Sequence, residues 1–315
     1  MKRLPLVSPL DRALFLKAQP YLDGLGSNVL TVLASYTEER FYPAGEPIRR
    51  SGSPIDRVIF LASGRVYVEG PPEIPHHGMR IEAPGAVGCA HHFAGSRFTP
   101  SVSALDDTLC LEIAVRDLGQ ILEDHFPLLL QMARTSCEQA VMTTKALGDA
   151  RPAEAGFEDV DRLETPVHLD LVHRLARAKR APIFRDTNLT LLGELFRSND
   201  PRLVDEGEEL WATGDPVDQM AFVLDGCFRT DGSCGKSIAP SGATIGAAEI
   251  LIESPRVESW IAERPSRILP IRKDLFIDLL EDHLEFAEAY LKRINQGVVD
   301  AWDRLASRRD EESTR

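Results

Sequence analysis

The same pattern of apolar and polar positions occurs twice along the chain. Two runs of apolar, β-branched and aromatic residues alternate loosely with polar ones, VIFLASGRVYVEG from residue 58 and MAFVLDGCFRTDG from residue 220. Each run is interrupted by a glycine, which predicts a strand, a tight turn and a second strand. The segments upstream, YPAGEPIRRSGSP and VDEGEELWATGDP, also carry glycines where turns would need positive φ. Each copy is therefore predicted to be a unit of short β-strands, a barrel or jelly roll.

The glycines of the two copies keep a fixed spacing. Those of the first copy recur 162 residues later in the second, as Gly45 and Gly207, Gly52 and Gly214, Gly64 and Gly226, and Gly70 and Gly232. A short deletion then changes the offset to 158, which relates Gly88 to Gly246 and the two LEDH segments to each other. A spacing maintained over this length indicates a tandem duplication.

Helical patterns flank both β units. The segments DRALFLKAQPYLDGL and HRLARAKRAPIFRDT open the copies, and Pro20 and Pro182 predict the end of the first helix in each. After the second unit, apolar residues spaced by three and four predict one amphipathic helix of about eight turns. Its apolar positions are Phe276, Leu279, Leu280, Phe286, Ala287, Tyr290, Leu291, Ile294, Val298, Trp302 and Leu305. The corresponding positions after the first unit are Phe126, Leu130, Ala133, Cys137, Val141 and Leu147.

The predicted organisation is two domains joined by a linker. A chain of 315 residues is long enough for two domains that each bury a core. We place the first domain at residues 1–147, an acidic, nonperiodic linker at 148–169, and the second domain with its long C-terminal helix at 170–315. The predicted fold class is mainly β with flanking α-helices: two jelly-roll domains, each followed by a long amphipathic helix.

Composition narrows the range of partners and compartments. The formal net charge of −13 argues against nucleic acid as a partner. The chain has no apolar run of about 18 residues and no secretory signal, so we expect no membrane association and a cytoplasmic location. Five cysteines without an export signal predict free thiols.

The order of these elements resembles a known domain. A helix, then PAGEPIRRSGSPIDRVIFLASGRVYV, a glycine-led loop, LEIAVRDLGQILEDH and a long helix is similar to the cyclic nucleotide-binding domain of catabolite-activator proteins and kinase regulatory subunits. The second copy resembles it through EGEELWATGDPVDQMAFVLDG and ILPIRKDLFIDLLEDH. The resemblance implies a site in which a Gly-Glu pair binds the ribose hydroxyl. A Pro-Arg pair about ten residues later and the following backbone amides would hold the cyclic phosphate, an anion suited to such donors.

The first copy departs from this site. It reads AVGCAHHFAGSRFTPSVSA, in which Gly88 is kept but Cys89 stands in place of the Glu and Phe98 in place of the Arg. Arg97 is one position early, which on a strand would direct its side chain to the opposite face. Gly88 and Cys89 are therefore expected to be vestiges of a binding site.

The second copy, TIGAAEILIESPRVESWIA, keeps half of the site. Its candidate positions are Gly246, Ala247, Arg256, Val257 and Ser259. Ala247 replaces the ribose-binding Glu, whose loss weakens binding about tenfold to a hundredfold. Glu249 comes two residues late, and the charge of Glu258 would oppose a phosphate unless that side chain faces solvent. No cofactor is assigned; cyclic AMP or cyclic GMP would bind weakly. Another interpretation makes Arg256 a surface residue that follows a turn proline.

Two other clusters have a functional and a plain interpretation. His76, His77, Cys89, His91 and His92 could bind zinc or haem iron, but their spacing matches no standard motif and favours loop histidines, so no metal ligand is assigned. The basic segment HRLARAKRAP could contact nucleic acid or a membrane. Because it aligns with the nonbasic DRALFLKAQP, we interpret it as the opening helix of the second copy with a solvated face.

These patterns lead to one main hypothesis and two alternatives. No recognition helix follows Leu305 and no nucleophile–base pair is visible, so an enzyme or a DNA-binding protein is not expected. We predict a noncatalytic regulatory or adaptor protein with an unknown protein partner. Its long helices would pair within the chain as a pseudo-dimer, or form a homodimer through the C-terminal helix. The contact stripe would be Ile294, Val298, Trp302 and Leu305. The alternatives are a sensor of a cyclic nucleotide or another phosphate metabolite in the second domain, and a haem or metal sensor in the first.

Overall fold

The computed structural model describes residues 8–69, 78–96, 99–148, 170–232 and 235–313. Of the predicted linker, only Gly148 is among them. Within these ranges, no helix combines the length and the apolar character needed to cross a membrane.

Contacts divide the chain into two compact units. The first comprises Met1–Ser136 together with Asn295–Arg315, and the second comprises Cys137–Ile294. By this division, the end of each long helix belongs to a different unit from the one implied by the linear boundaries 1–147 and 170–315. Those linear boundaries remain a prediction.

The first unit contains two four-stranded antiparallel sheets among its described residues. The strands are β1 (Glu38–Tyr42), β2 (Pro47–Arg49), β3 (Arg57–Ser63), β4 (Arg65–Val68), β5 (Met79–Glu82), β6 (Gly85–Val87), β7 (Val102–Ala104) and β8 (Thr108–Ala114). The sheet orders are β1-β8-β3-β6 and β2-β7-β4-β5. Alternate residues of these strands point inward and form the core, including Ile59, Leu61, Val66, Val102 and Cys110.

The second unit repeats this topology strand for strand. Its strands are β9 (Arg202–Val204), β10 (Glu209–Trp211), β11 (Gln219–Asp225), β12 (Cys227–Gly232), β13 (Gly235–Pro240), β14 (Thr244–Ile245), β15 (Trp260–Ala262) and β16 (Ser266–Arg272). The orders β14-β11-β16-β9 and β10-β15-β12-β13 correspond to those of the first unit. The predicted duplication and the predicted jelly-roll fold class are both confirmed.

Helices precede, interrupt and follow each set of strands. They are α1 (Pro9–Lys17), α2 (Ser27–Ser35), α3 (Cys89–Ala94), α4 (Val115–Asp124), α5 (Phe126–Leu147), α6 (Leu171–Ala178), α7 (Leu189–Arg197), α8 (Lys273–Asp282) and α9 (Leu284–Ser313). The opening helices α1 and α6 end before Pro20 and Pro182, as the prolines predict. The separate helices α2 and α7 were not predicted from the sequence.

The prediction of one uninterrupted helix from Phe276 to Leu305 is wrong. His283 has φ −134° and ψ 84°, which are not helical angles, so it separates α8 from α9. Its carbonyl accepts hydrogen bonds from the backbone N–H groups of Phe286 and Ala287 and so begins the next helix. His125 takes almost the same angles at the equivalent point of the first copy, between α4 and α5. The apolar spacing continues across this break, which is why periodicity alone did not reveal it.

The repeated glycines are required at the strand turns. Gly64 and Gly226 have φ of +88° and +109°, conformations that other residues rarely adopt. A Cβ atom on Gly226 would lie 2.7 Å from the Cα of Ser266, and one on Gly64 would lie 2.8 Å from the Cα of Thr108. Both turns therefore require glycine because of limited space as well as because of the backbone angle.

Candidate functional site

The candidate site of the second unit begins at Gly246, directly after β14. Gly246 has φ +78°, and its carbonyl accepts hydrogen bonds from the N–H groups of Glu249 and Ile250 in the turn that follows. A Cβ atom here would lie 2.6 Å from Nη1 of Arg256 and 3.3 Å from the indole of Trp211. Glycine at this position therefore allows a guanidinium to lie directly against the main chain.

Arg256 is held in the interior of the unit. Its backbone N–H donates to Asp215 O at 2.8 Å, and its carbonyl accepts from Gly214 N at 2.9 Å, which fixes the loop that carries it. Its guanidinium carbon lies 3.7 Å from the ring centroid of Trp211, a cation–π contact. Nη2 also donates to Gln219 O. Since Arg256 is only 2% exposed, the interpretation as a surface residue is wrong.

The carboxylate of Glu249 accepts hydrogen bonds from the donors of this site. One carboxylate oxygen lies 3.0 Å from Arg256 Nη1, and the other accepts from the backbone N–H of Val257 at 2.9 Å. Glu249 is itself buried, with 7% of its surface exposed. The guanidinium and the amide that follows it are the two donors that the resemblance assigns to a cyclic phosphate. In this structure they bind a carboxylate of the same chain.

The remaining candidate positions also take part in the folded unit. Tyr290, a fully buried residue of α9, donates its hydroxyl to Ala247 O at 2.7 Å. Ser259 Oγ accepts from the N–H of Thr213 at 2.9 Å. Glu258 is only 4% exposed, so its side chain does not face solvent and the condition under which it would not oppose a phosphate is not met. The carbonyl of Ala247 and the hydroxyl of Ser259 therefore both accept hydrogen bonds from within the unit.

In the first unit, Gly88 and Cys89 keep the backbone of the site without its chemistry. Gly88 has φ +94° and precedes the short helix α3, as Gly246 precedes the turn in the second unit. Cys89 is 2% exposed, and burial raises the pKa of its thiol to about 12. A neutral, buried thiol packs as a small apolar side chain. Arg97 and Phe98, the other two positions of the predicted change, lie outside the described residues.

The first unit supplies a guanidinium from another strand. Arg49, at the end of β2, is buried and donates from Nη2 to Arg57 O at 2.5 Å. A Cβ atom on Gly88 would lie 3.0 Å from Arg49 Nη1. Because Arg57 and Gly88 are the equivalents of Gln219 and Gly246, Arg49 occupies in the first unit the place that Arg256 occupies in the second.

Arg49 was not predicted as a site residue, because the resemblance places the arginine of the site in the segment after Gly88 and not on β2. The repeat offset of 162 residues contained a signal, since it aligns Arg49 with Trp211. In the second unit the ring of Trp211 supports a guanidinium, and in the first unit the guanidinium itself comes from that strand position. The two copies therefore differ at this aligned position, with an arginine in the first and a tryptophan in the second.

The histidines of α3 lie in a partly apolar environment. The ring of His91 lies 5.8 Å from that of Trp302, a residue of the same unit. Burial, with a smaller contribution from the charge of Arg49, lowers the pKa of His91 to about 4. The residues that the structure describes contain no group of three or more side chains able to hold a metal ion. His76 and His77 lie outside the described residues.

The basic side chains of α6 bind main-chain carbonyls of the second unit. Arg174 donates to Phe196 O at 3.2 Å, and Arg177 donates to Leu224 O at 2.5 Å. Lys179 donates to the carbonyls of Arg185 and Thr187. These three cations stabilise the ends of neighbouring elements.

Comparison with known families agrees with this geometry. Residues 201–283 match the family model of the cyclic nucleotide-binding domain. The matched range runs from the start of β9 to the end of α8 and contains both Glu249 and Arg256. The resemblance of the second copy to this domain is therefore confirmed. No curated protein matches the chain.

The solved structures to which the chain is similar share little sequence with it. The regulatory subunit of a cAMP-independent protein kinase A from Trypanosoma brucei is 12% identical, with 90% of each chain covered and a TM-score of 0.34. The regulatory domain of Toxoplasma gondii protein kinase A, crystallised with cAMP, is 13% identical, with 90% of this chain and 98% of that chain covered and a TM-score of 0.34. The sensor domain of the transcriptional regulator DNR from Pseudomonas aeruginosa is 20% identical, with 45% and 93% covered and a TM-score of 0.36.

Proposed function

We propose that the chain is a noncatalytic regulatory or adaptor protein whose second domain is kept free of cyclic nucleotide by its own Glu249. The match to the cyclic nucleotide-binding domain family supports a regulatory or sensory role. The observation that carries the rest is the bond of Glu249 to both Arg256 and Val257 N. A domain of this kind acts through its surfaces, by binding a protein partner.

A cyclic nucleotide would have to displace Glu249 from the donors of the site. A cyclic phosphate could reach Arg256 only if the carboxylate of Glu249 left a buried position. A hydrogen bond to a charged group contributes about 1.5–3 kcal/mol, so displacing the carboxylate from Arg256 would lower the affinity roughly tenfold to a hundredfold. Ala247 adds the loss of the ribose contact. A site of micromolar affinity would therefore weaken to the millimolar range or beyond.

The alternative is a sensor in which the ligand itself expels Glu249. Arg256 and its support on Trp211 are retained, so the two functions differ in whether the ligand replaces the carboxylate. Arg256→Ala distinguishes them: it abolishes a ligand response in a sensor and changes no ligand response in an adaptor.

We also propose that the long helices pair with each other. In α9, Val298 is fully buried and Ile294 is 8% exposed, as expected for positions of an apolar stripe. Pairing through Ile294, Val298, Trp302 and Leu305, within one chain or between two copies, is part of the proposal. A Trp302→Asp variant with unchanged stability and oligomeric state would contradict it. The buried Cys89, Cys110 and Cys137 are reduced thiols, which supports a reducing, cytoplasmic location.

Tryptophan fluorescence tests whether Glu249 keeps the ligand out. Because the guanidinium of Arg256 lies on Trp211, movement of either group changes the emission of that indole. Titration with cyclic AMP or cyclic GMP is expected to leave wild-type emission unchanged and to change it in Glu249→Ala, where both donors are free. The exposed Glu253→Ala on the same loop is the matched control. A saturable wild-type change at micromolar ligand that is absent from Trp211→Phe would favour the sensor.

A further inference from the structure

The first unit contains a cavity with an excess of positive charge. Its volume is about 440 Å³, and it lies among β1, β2, β3, β8 and the loop that joins β2 to β3. Four arginines and two carboxylates line it: Arg40, Arg49, Arg50, Arg57, Asp56 and Glu112. The volume lies within the range of small-molecule sites, about 300–1,000 Å³. The lining charge suits an anion.

Arg49 is the only one of the four lining arginines that is buried, and among the described residues it forms no ion pair. Arg49 is 9% exposed. Among the described residues, the one hydrogen bond of its guanidinium is to the carbonyl of Arg57. Burial lowers the pKa of its guanidinium, although Asp56 and Glu112 partly offset this. No carboxylate of the described residues lies within ion-pair distance of it. A buried guanidinium without an anion is a costly arrangement.

The buried carboxylate that lines the cavity already has hydrogen-bond and ion-pair partners. Glu112 is 4% exposed and accepts from the hydroxyl of Tyr42 at 2.5 Å. It also pairs with Arg57 Nη1 at 3.4 Å, and Arg57 pairs in turn with Glu38 at 3.0 Å. Both Glu38 and Glu112 therefore pair with Arg57. Among the residues that the structure describes, no carboxylate forms an ion pair with Arg49.

Comparison of the two units identifies what Arg49 lacks. In the second unit the guanidinium against the equivalent carbonyl belongs to Arg256, and Glu249 neutralises it. In the first unit the guanidinium of Arg49 is present, and the described residues supply no counterpart of Glu249. The anion missing from the first unit therefore has a defined place, next to an open cavity.

We infer that this cavity binds a small organic anion, a carboxylate or a phosphate monoester, through Arg49. The anionic group would contact Arg49 as Glu249 contacts Arg256, and the rest of the ligand would fill the cavity toward β1. The guanidinium comes from β2 instead of the loop after α3, and Cys89 offers no acceptor for a ribose hydroxyl. The ligand is therefore of a different class from the one that the domain family binds. This site would give the first unit a chemical input that the proposed adaptor function does not require.

Calorimetric titration of the full chain tests the inference with three probes: inorganic phosphate, ribose 5-phosphate and citrate. We expect at least one to bind with a dissociation constant in the millimolar range or tighter. Arg49→Met should weaken that binding about tenfold to a hundredfold, the contribution of a hydrogen bond to a charged group. Arg50→Met, an exposed arginine of the same cavity, is the matched control and should retain binding within a few-fold. Citrate alone would identify a carboxylate ligand, and ribose 5-phosphate alone a phosphate ester.

Thermal unfolding of the same variants separates binding from folding. Because Arg49 has no acidic partner, Arg49→Met should unfold at the same temperature as the wild type or higher. The probe that binds should raise the wild-type midpoint and not that of Arg49→Met. Absence of binding by all three probes, equal binding by Arg49→Met, or loss of binding in Arg256→Met instead would overturn the inference. None of these outcomes bears on Glu249, so the proposed function is judged separately.

Discussion

Glu249 and Arg256 form a buried ion pair, with 3.0 Å between Oε2 and Nη1, in the part of the second unit where the resemblance places a ligand. The second carboxylate oxygen of Glu249 accepts from the backbone N–H of Val257. One side chain thus satisfies the two donors expected for a cyclic phosphate. The site has kept its cation and has acquired an anion from its own chain.

Removal of Glu249 should destabilise the protein and open the site. Glu249→Ala leaves the buried guanidinium of Arg256 without its carboxylate, so the free energy of unfolding should fall by about 3–5 kcal/mol. Urea titration measures this change. Glu253→Ala, an exposed position on the same loop, should stay within about 0.5 kcal/mol of the wild type. Equal stability of the two variants would show that the pair does not contribute as proposed.

A double-mutant cycle measures the coupling of the pair itself. Glu249→Leu and Arg256→Met should each destabilise the protein, because each leaves one buried charge alone. The double variant should lose clearly less than the sum of the two, with a coupling energy of about 1–3 kcal/mol. Additive losses, within about 0.5 kcal/mol, would mean that the two side chains act independently.

Gly226 should not tolerate a side chain. Gly226→Ala combines φ of +109° with overlap of the new Cβ and the backbone of Ser266, so we expect a loss of at least about 2 kcal/mol in urea unfolding. Gly297→Ala on α9 is the matched control. No atom lies within 4 Å of its new Cβ, and a helical alanine should stabilise by about 0.5–1 kcal/mol. A neutral Gly226→Ala would contradict the described turn.

Acid should weaken the first unit through His91. Its pKa is about 4 in the folded protein because of burial, against 6.5 in an unfolded chain. Between these two values the unfolded state binds more protons, so stability is complete above pH 6.5 and falls as the pH is lowered toward 4. His91→Gln should reduce the slope of unfolding free energy against pH in this window. Equal slopes for His91→Gln and the wild type would refute this assignment.

The sequence allowed the fold to be predicted because the turn glycines impose steric conditions. Gly64 and Gly226 can be replaced by no other residue without overlap, so their spacing records the duplication directly. The break at His283 was missed because apolar residues keep their three-and-four spacing on both sides of it. Helical periodicity reports which positions face the core and is insensitive to a single nonhelical residue.

The candidate site was predictable only in part, because its side-chain contacts depend on how the turns between its residues fold. Gly246 and Arg256 follow from the repeat and the resemblance. The role of Glu249 depends on a turn that brings it back to Arg256, seven residues later, and no propensity encodes that contact. Arg49 aligns with Trp211 and not with Arg256, so only the three-dimensional contacts show that its guanidinium takes the place of that of Arg256.

The most direct test of the central claim is calorimetric titration of the purified chain with cyclic AMP and cyclic GMP up to millimolar concentration. Because Glu249 binds the phosphate donors, we predict no saturable heat for the wild type with either nucleotide, and binding in Glu249→Ala. Micromolar binding by the wild type that is lost in Arg256→Ala would contradict the account. It would show that the ligand displaces Glu249 and that the second domain is a sensor.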